Sequence, residues 1–119
     1  MSTISIVVVA SLMALMGVCG IITPVRFLRF VGSETLGRDG RNEVRAVYGG
    51  FGLMMGGILL YAVQETAYQP GILLCMGLAL AGMAIGRIIS IVPDRGISAF
   101  MVFTCISEFV AGGVLLLAI

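Results

Sequence analysis

The chain has 119 residues, 60% of them hydrophobic and only 11% charged, and its mean hydropathy is +1.16. An ordinary soluble domain carries roughly one-quarter charged residues, so this composition excludes a water-soluble globule, which would have too little polar surface to coat itself. The net charge is only +1 and there is no histidine, which argues against haem or zinc ligation in the usual style.

A bilayer core about 30 Å thick is crossed by about 20 helical residues at roughly 1.5 Å each. Four apolar runs reach that length: Ile4 to Ile22, Val44 to Val63, Ile72 to Val92 and Ile97 to Ile119. They predict an all-α polytopic membrane protein, a single four-transmembrane-helix bundle over residues 1–119, with no room for a soluble domain. The first run follows "MSTISIVVVA", which has no positive n-region, and it is long enough to span. It is therefore expected to be a retained helix and not a cleaved signal peptide.

The connection from 23 to 43 is the only long one. In "TPVRFLRFVG", Pro24 can end or kink the first helix, and Phe27, Leu28, Phe30 and Val31 interleave with Arg26 and Arg29. Such a segment is expected to lie along the membrane surface, with its arginines reaching lipid headgroups. "GRDGRN" reads as a turn, with Asn42 capping the second helix and Glu43 near its positive end.

On the second helix Arg45, Gly49, Gly52 and Gly56 share one face. Gly52 and Gly56 make a GxxxG pair, which lets another helix approach closely in lipid. The third helix repeats the device with Cys75, Ala79, Gly82 and Gly86. Two small-residue faces predict intimate packing of helices 2 and 3, on each other or on a partner. Tyr48 and Tyr61 suit the interfacial belts. Loop 2, "QETAYQPG", reads as solvated, and "PDRG" (93–96) as a tight link making helices 3 and 4 antiparallel neighbours.

All seven arginines fall in or beside loops 1 and 3. The positive-inside rule then places those loops in the cytoplasm and both termini outside. Arg87 lies five residues before Val92, roughly 8 Å below the helix end, and Glu108 eleven residues after Ile97, roughly 16 Å in and near mid-membrane. A central carboxylate is disfavoured by at least ~2.5 to 3.5 kcal/mol, so it should be partnered or protonated. Thr104, Ala111 and Gly112 around it are small or polar, and Arg87 could reach it. The pair reads either as a clamp holding helix 4 or as a proton-exchanging group and polar anchor for an amphipathic ligand. Cys19, Cys75 and Cys105 are scattered among the helices and form no metal or disulfide signature.

"RNEVRAVYGGFGLMMGG", with "TPVRFLRFVG" before it and "GRIIS" plus an aspartate-containing turn after it, resembles a family of small four-helix bacterial membrane proteins known only as a domain of unknown function. The likeness covers essentially the whole chain, and "NEVRAVYGG", Asn42 to Gly50, is its most specific block. It implies a multi-pass protein of the bacterial inner (cytoplasmic) membrane and carries no catalytic residues with it. It suggests a shared polar cluster of Glu43, Arg45, Tyr48, Arg87 and Glu108, a pattern that a structural staple would also produce. Small multidrug exporters have similar size, but here the membrane carboxylate is on the fourth helix and not the first, and the arginines oppose inversion.

Two functions fit. One is a nonenzymatic accessory or scaffold subunit, docking by its glycine-rich faces onto a larger membrane complex or onto itself. The other is a binder or proton-coupled carrier of a lipid or quinone, using Arg87 and Glu108. No nucleophile–base pair, metal spacing, phosphate loop or nucleotide fingerprint points to an enzyme. No cofactor is expected beyond a bound lipid or quinone, and no nucleic acid, since arginines beside a bilayer are explained by orientation and anionic headgroups.

Overall fold

The computed structural model describes residues 2–30 and 37–119, and no strand occurs among them. The elements are α1 (Ser2–Ile22), α2 (Pro24–Phe30), α3 (Arg38–Val44), a π-helical segment (Arg45–Gly50), α4 (Phe51–Gln64), α5 (Gln69–Asp94) and α6 (Ala99–Leu117). From α3 to α4 the helix is continuous, giving one span of 27 residues. With α1, α5 and α6 it makes four helices long and apolar enough to cross a membrane.

Helix takes over much of the expected loop 1. Thr23 N–H donates to the Cys19 carbonyl (2.9 Å) and Phe27 N–H to the Thr23 carbonyl (2.8 Å), so backbone bonds flank the break that Pro24, with no N–H to give, makes between α1 and α2. Pro24 thus starts α2, the position where its fixed φ suits a helix. Val31, the last apolar residue of the expected surface segment, lies outside the described residues. "GRDGRN" is not a turn. Gly37 takes the N-cap position with extended backbone (φ −69°, ψ −169°), Asp39 sits in the first turn near the helix's positive end, and Asn42 is inside α3 rather than capping it. Burial of Val44 (4% exposed) outweighs the poor helix propensity of Gly40 and Asn42.

The last link also differs. α5 continues through Pro93 to Asp94, and Arg95 turns left-handed (φ 54°, ψ 37°). Gly96 N–H then reaches back to the Ile91 carbonyl at 3.2 Å, closing the helix end in a Schellman-type turn. Ser98 Oγ caps α6 by accepting from Met101 N–H at 3.2 Å.

The chain forms two compact units. In Val7–Tyr61, α1 buries Ala10, Gly17 and Gly20, and the second span lays Gly49, Gly52 and Gly56 against it. A methyl added at Gly17 would lie 2.6 Å from Leu53 N and 2.7 Å from the Gly49 carbonyl, and one at Gly56 would lie 2.8 Å from the Ala10 carbonyl. Backbone meets backbone here, which is how helices associate in lipid without a hydrophobic drive. The glycine face of the second helix is filled by the first helix, which carries its own small-residue stripe: Ala10, Ala14, Gly17 and Gly20.

In the other unit, Ala62–Ile119 with the start of α1, α5 and α6 form an antiparallel hairpin. Its core is Leu73, Met76, Gly77 and Ala84 against Cys105, Gly112 and Leu115. The helices come closest at Gly77 and Gly112: a methyl on Gly112 would lie 2.9 Å from the Gly77 carbonyl. Further along, Cys105 Sγ–H donates to the Ala84 carbonyl at 3.5 Å. The face read as the packing surface of the third helix is turned outward. Cys75, Ala79, Gly82 and Gly86 are exposed, and a methyl at Gly82 or Gly86 would meet nothing within 4 Å.

Candidate functional site

Glu108 is nine residues from either end of the 19-residue α6, about 14 Å from each. Arg87 is seven residues before the end of α5, about 10 Å in. The Gly77–Gly112 and Ala84–Cys105 contacts set Arg87 level with Val102. Glu108 is therefore six residues, about 9 Å, farther from the turn. Chain direction closes that offset. Helical side chains lean toward the N-terminus of their own helix, which in α5 points away from the turn and in α6 toward it. Arg87 and Glu108 consequently lean toward one another.

They meet in a fork. Arg87 Nε donates to Glu108 Oε2 at 2.7 Å and Nη2 to Oε1 at 2.6 Å. The planar guanidinium matches both carboxylate oxygens at once, which a lysine could not do. The Glu108 side chain is only 11% exposed and that of Arg87 27%. Arg87 Nη1 donates to Met101 Sδ at 3.3 Å. Thr104 spends its hydroxyl proton on the Met101 carbonyl of its own helix at 2.9 Å. No buried side-chain nitrogen or oxygen lacks a partner among the described residues.

An open cleft of about 360 Å³ lies on the turn side of the pair, lined by Met83, Gly86, Arg87, Ser90, Ile97 and Met101. Gly86 makes room by having no side chain, the two thioethers and Ile97 give apolar walls, and Arg87 supplies the cationic edge. Ser90 Oγ donates to Asp94 Oδ2 at 3.4 Å on the same helix. This volume is at the small end of the range that takes small-molecule ligands. Sequence reasoning singled out Arg87, Glu108 and Gly86 but not Met83, Ser90 or Met101. The signal was present: Met83 and Ser90 stand at i−4 and i+3 from Arg87, and Met101 two turns before Glu108, so each shares a helical face with its charged neighbour.

The remaining candidates, Glu43, Arg45 and Tyr48, belong to the Val7–Tyr61 unit. Glu43 is exposed. Arg45 is exposed too, and its Nε donates to the Ile21 carbonyl at 3.1 Å, tying the start of the second span to the end of the first. A cation there satisfies an orphan carbonyl and faces the negative end of α1. Tyr48 packs its ring on Phe27, centroids 5.2 Å apart and tilted by 53°. Arg26 and Arg29 project from α2 on the side opposite buried Pro24 and Leu28. Among the described residues no group of three potential metal ligands forms.

A family model described as "Domain of unknown function (DUF4345)" matches residues 1–119. No curated protein and no solved structure matches the chain.

Proposed function

The chain belongs to the DUF4345 family, and we propose that it is a multi-pass protein of the bacterial inner membrane whose α5–α6 hairpin binds a lipophilic molecule with a small, uncharged, hydrogen-bond-accepting head, such as a neutral lipid or a quinone. The observation carrying this reading is the Arg87–Glu108 fork beside the cleft. Glu108 already neutralises Arg87, so the cleft offers no unpaired charge to an ionic head. The Nη1 edge is different: it donates to a thioether, a weak acceptor that a carbonyl oxygen would outcompete. Met83 and Ile97 would flank the head, and the open stripe of Ala79, Gly82 and Gly86 would receive the tail. With the arginine-bearing loops cytoplasmic and both termini outside, the cleft opens toward the cytoplasmic half of the membrane.

One observation favours the accessory-subunit reading as well. The exposed Cys75, Ala79, Gly82 and Gly86 face would let a helix of another protein approach closely. The two readings separate in one experiment. The protein is purified in nanodiscs and everything retained is identified by mass spectrometry, alongside Gly86→Leu, which fills the cleft without touching the ion pair. A stoichiometric neutral lipophile held by the wild type and lost from the variant supports the binder. A protein partner at fixed stoichiometry with no retained lipophile refutes the binder and supports the subunit.

A further inference from the structure

A second surface lies in the other unit, independent of the cleft. α2 follows α1 with only Thr23 between them, so it emerges where an apolar span ends. It buries Pro24 and Leu28, and Phe27 is held by Tyr48. The opposite side shows Arg26, Arg29 and Phe30, the last 73% exposed. Neither Arg26 nor Arg29 makes an ion pair or hydrogen bond among the described residues. Arg45 comes to the same end of the unit, through its bond to the last turn of α1. Across residues 23–45 the sequence places five arginines against three acids, Glu34, Asp39 and Glu43.

We infer that α2 and Arg45 form a seat for the headgroups of anionic phospholipids. An exposed phenyl ring on the same side as two unpartnered guanidinium groups is poorly suited to water and well suited to a membrane surface. The ring enters the acyl boundary while the guanidinium forks take phosphate oxygens bidentately. The Tyr48–Phe27 contact holds α2 against the body, and the Arg45–Ile21 bond fixes the end of α1 from which it emerges, so the two arginines are presented together and not on a wandering loop. The π-helical segment Arg45–Gly50 supplies both anchoring residues.

The full chain is placed in mixed micelles holding equal phosphatidylglycerol and phosphatidylcholine, and native mass spectrometry counts the lipids that stay bound. The wild type is expected to retain the anionic lipid preferentially. R26Q/R29Q should lose that preference by about 25-fold, at roughly fivefold per arginine near the surface. R26K/R29K keeps the charge and should keep most of the preference, and R95Q, in the other unit, should keep all of it. A wild type without preference overturns the inference. So does an R26Q/R29Q protein with unchanged preference. Should the double variant fail to fold, R26Q and R29Q singly are read the same way, each expected to lose several-fold.

Discussion

Gly17→Ala should loosen the Val7–Tyr61 unit far more than any alanine placed on the outer face of α5. The added methyl would lie 2.6 Å from Leu53 N and 2.7 Å from the Gly49 carbonyl oxygen, whereas an unstrained contact needs about 3.5 Å. Both obstacles are backbone atoms, which no rotamer change can move, so α1 and the second span must part by roughly 0.8 Å. A gap of that size forfeits about a quarter to a half of each dispersion contact along the seam. With some 40 atom pairs at roughly 0.15 kcal/mol each, the loss is about 1.5 to 3 kcal/mol. Alanine's better helix propensity offsets little, because isolated spans stay helical in lipid. Gly82→Ala is the matched control, since its methyl would meet nothing within 4 Å, and it should lie within ~0.5 kcal/mol of wild type. Reversible unfolding in bicelles, followed by steric trapping, measures both. If Gly17→Ala proves as harmless as Gly82→Ala, the close-contact account of this unit is wrong.

Other outcomes follow from the hairpin and the loops. Glu108→Ala strands the Arg87 guanidinium at depth and should destabilise by about 3 to 5 kcal/mol, while the double variant Arg87→Met/Glu108→Leu should recover most of that. A double-mutant cycle in the same unfolding assay decides, and additive losses would show that the fork is not coupled. Arg95→Gly relieves a left-handed residue (φ 54°) and should raise stability by ~0.5 to 1 kcal/mol. In a cysteine-free background, an impermeant thiol reagent should label Gly37→Cys and Gly96→Cys only from the cytoplasmic side and Ala67→Cys only from outside. The reverse pattern would overturn the orientation drawn from the arginines.

The four spans could be read from sequence because bilayer thickness imposes a length that composition reveals directly. Their ends were harder. The stretch Gly37 to Asn42 has turn-forming residues, but burial of Val44 and an acidic first turn draw it into helix. Pro93 reads as a stop, yet a proline in the final turn sacrifices one bond, and the chain closes two residues later around Arg95. Periodicity also showed which residues share a face without showing which helix lies opposite. Gly49, Gly52 and Gly56 meet α1, and α5 reaches α6 through Gly77 rather than through Gly82 and Gly86. Small-residue stripes fit any smooth partner, so spacing alone cannot choose among them. The proximity of Arg87 to Glu108 was readable from the short link between their helices. The cleft was not, because its volume depends on how side chains from both helices and the link at Ile97 come together in space, which spacing along one helix does not give.

The opposed lean of Arg87 and Glu108 bears on how this chain enters a membrane at all. Each group alone opposes partition of its helix into hydrocarbon by several kcal/mol. α5 and α6 are separated by only four residues, Arg95 to Ser98, and side-chain direction brings the two charges together as soon as the helices fold side by side. A hairpin that carries its own counter-ion can leave the translocon as one nearly neutral object, whereas α6 released by itself would have to shed or hide a charge. The fork would then serve biogenesis, setting the order in which the last two spans are committed to lipid.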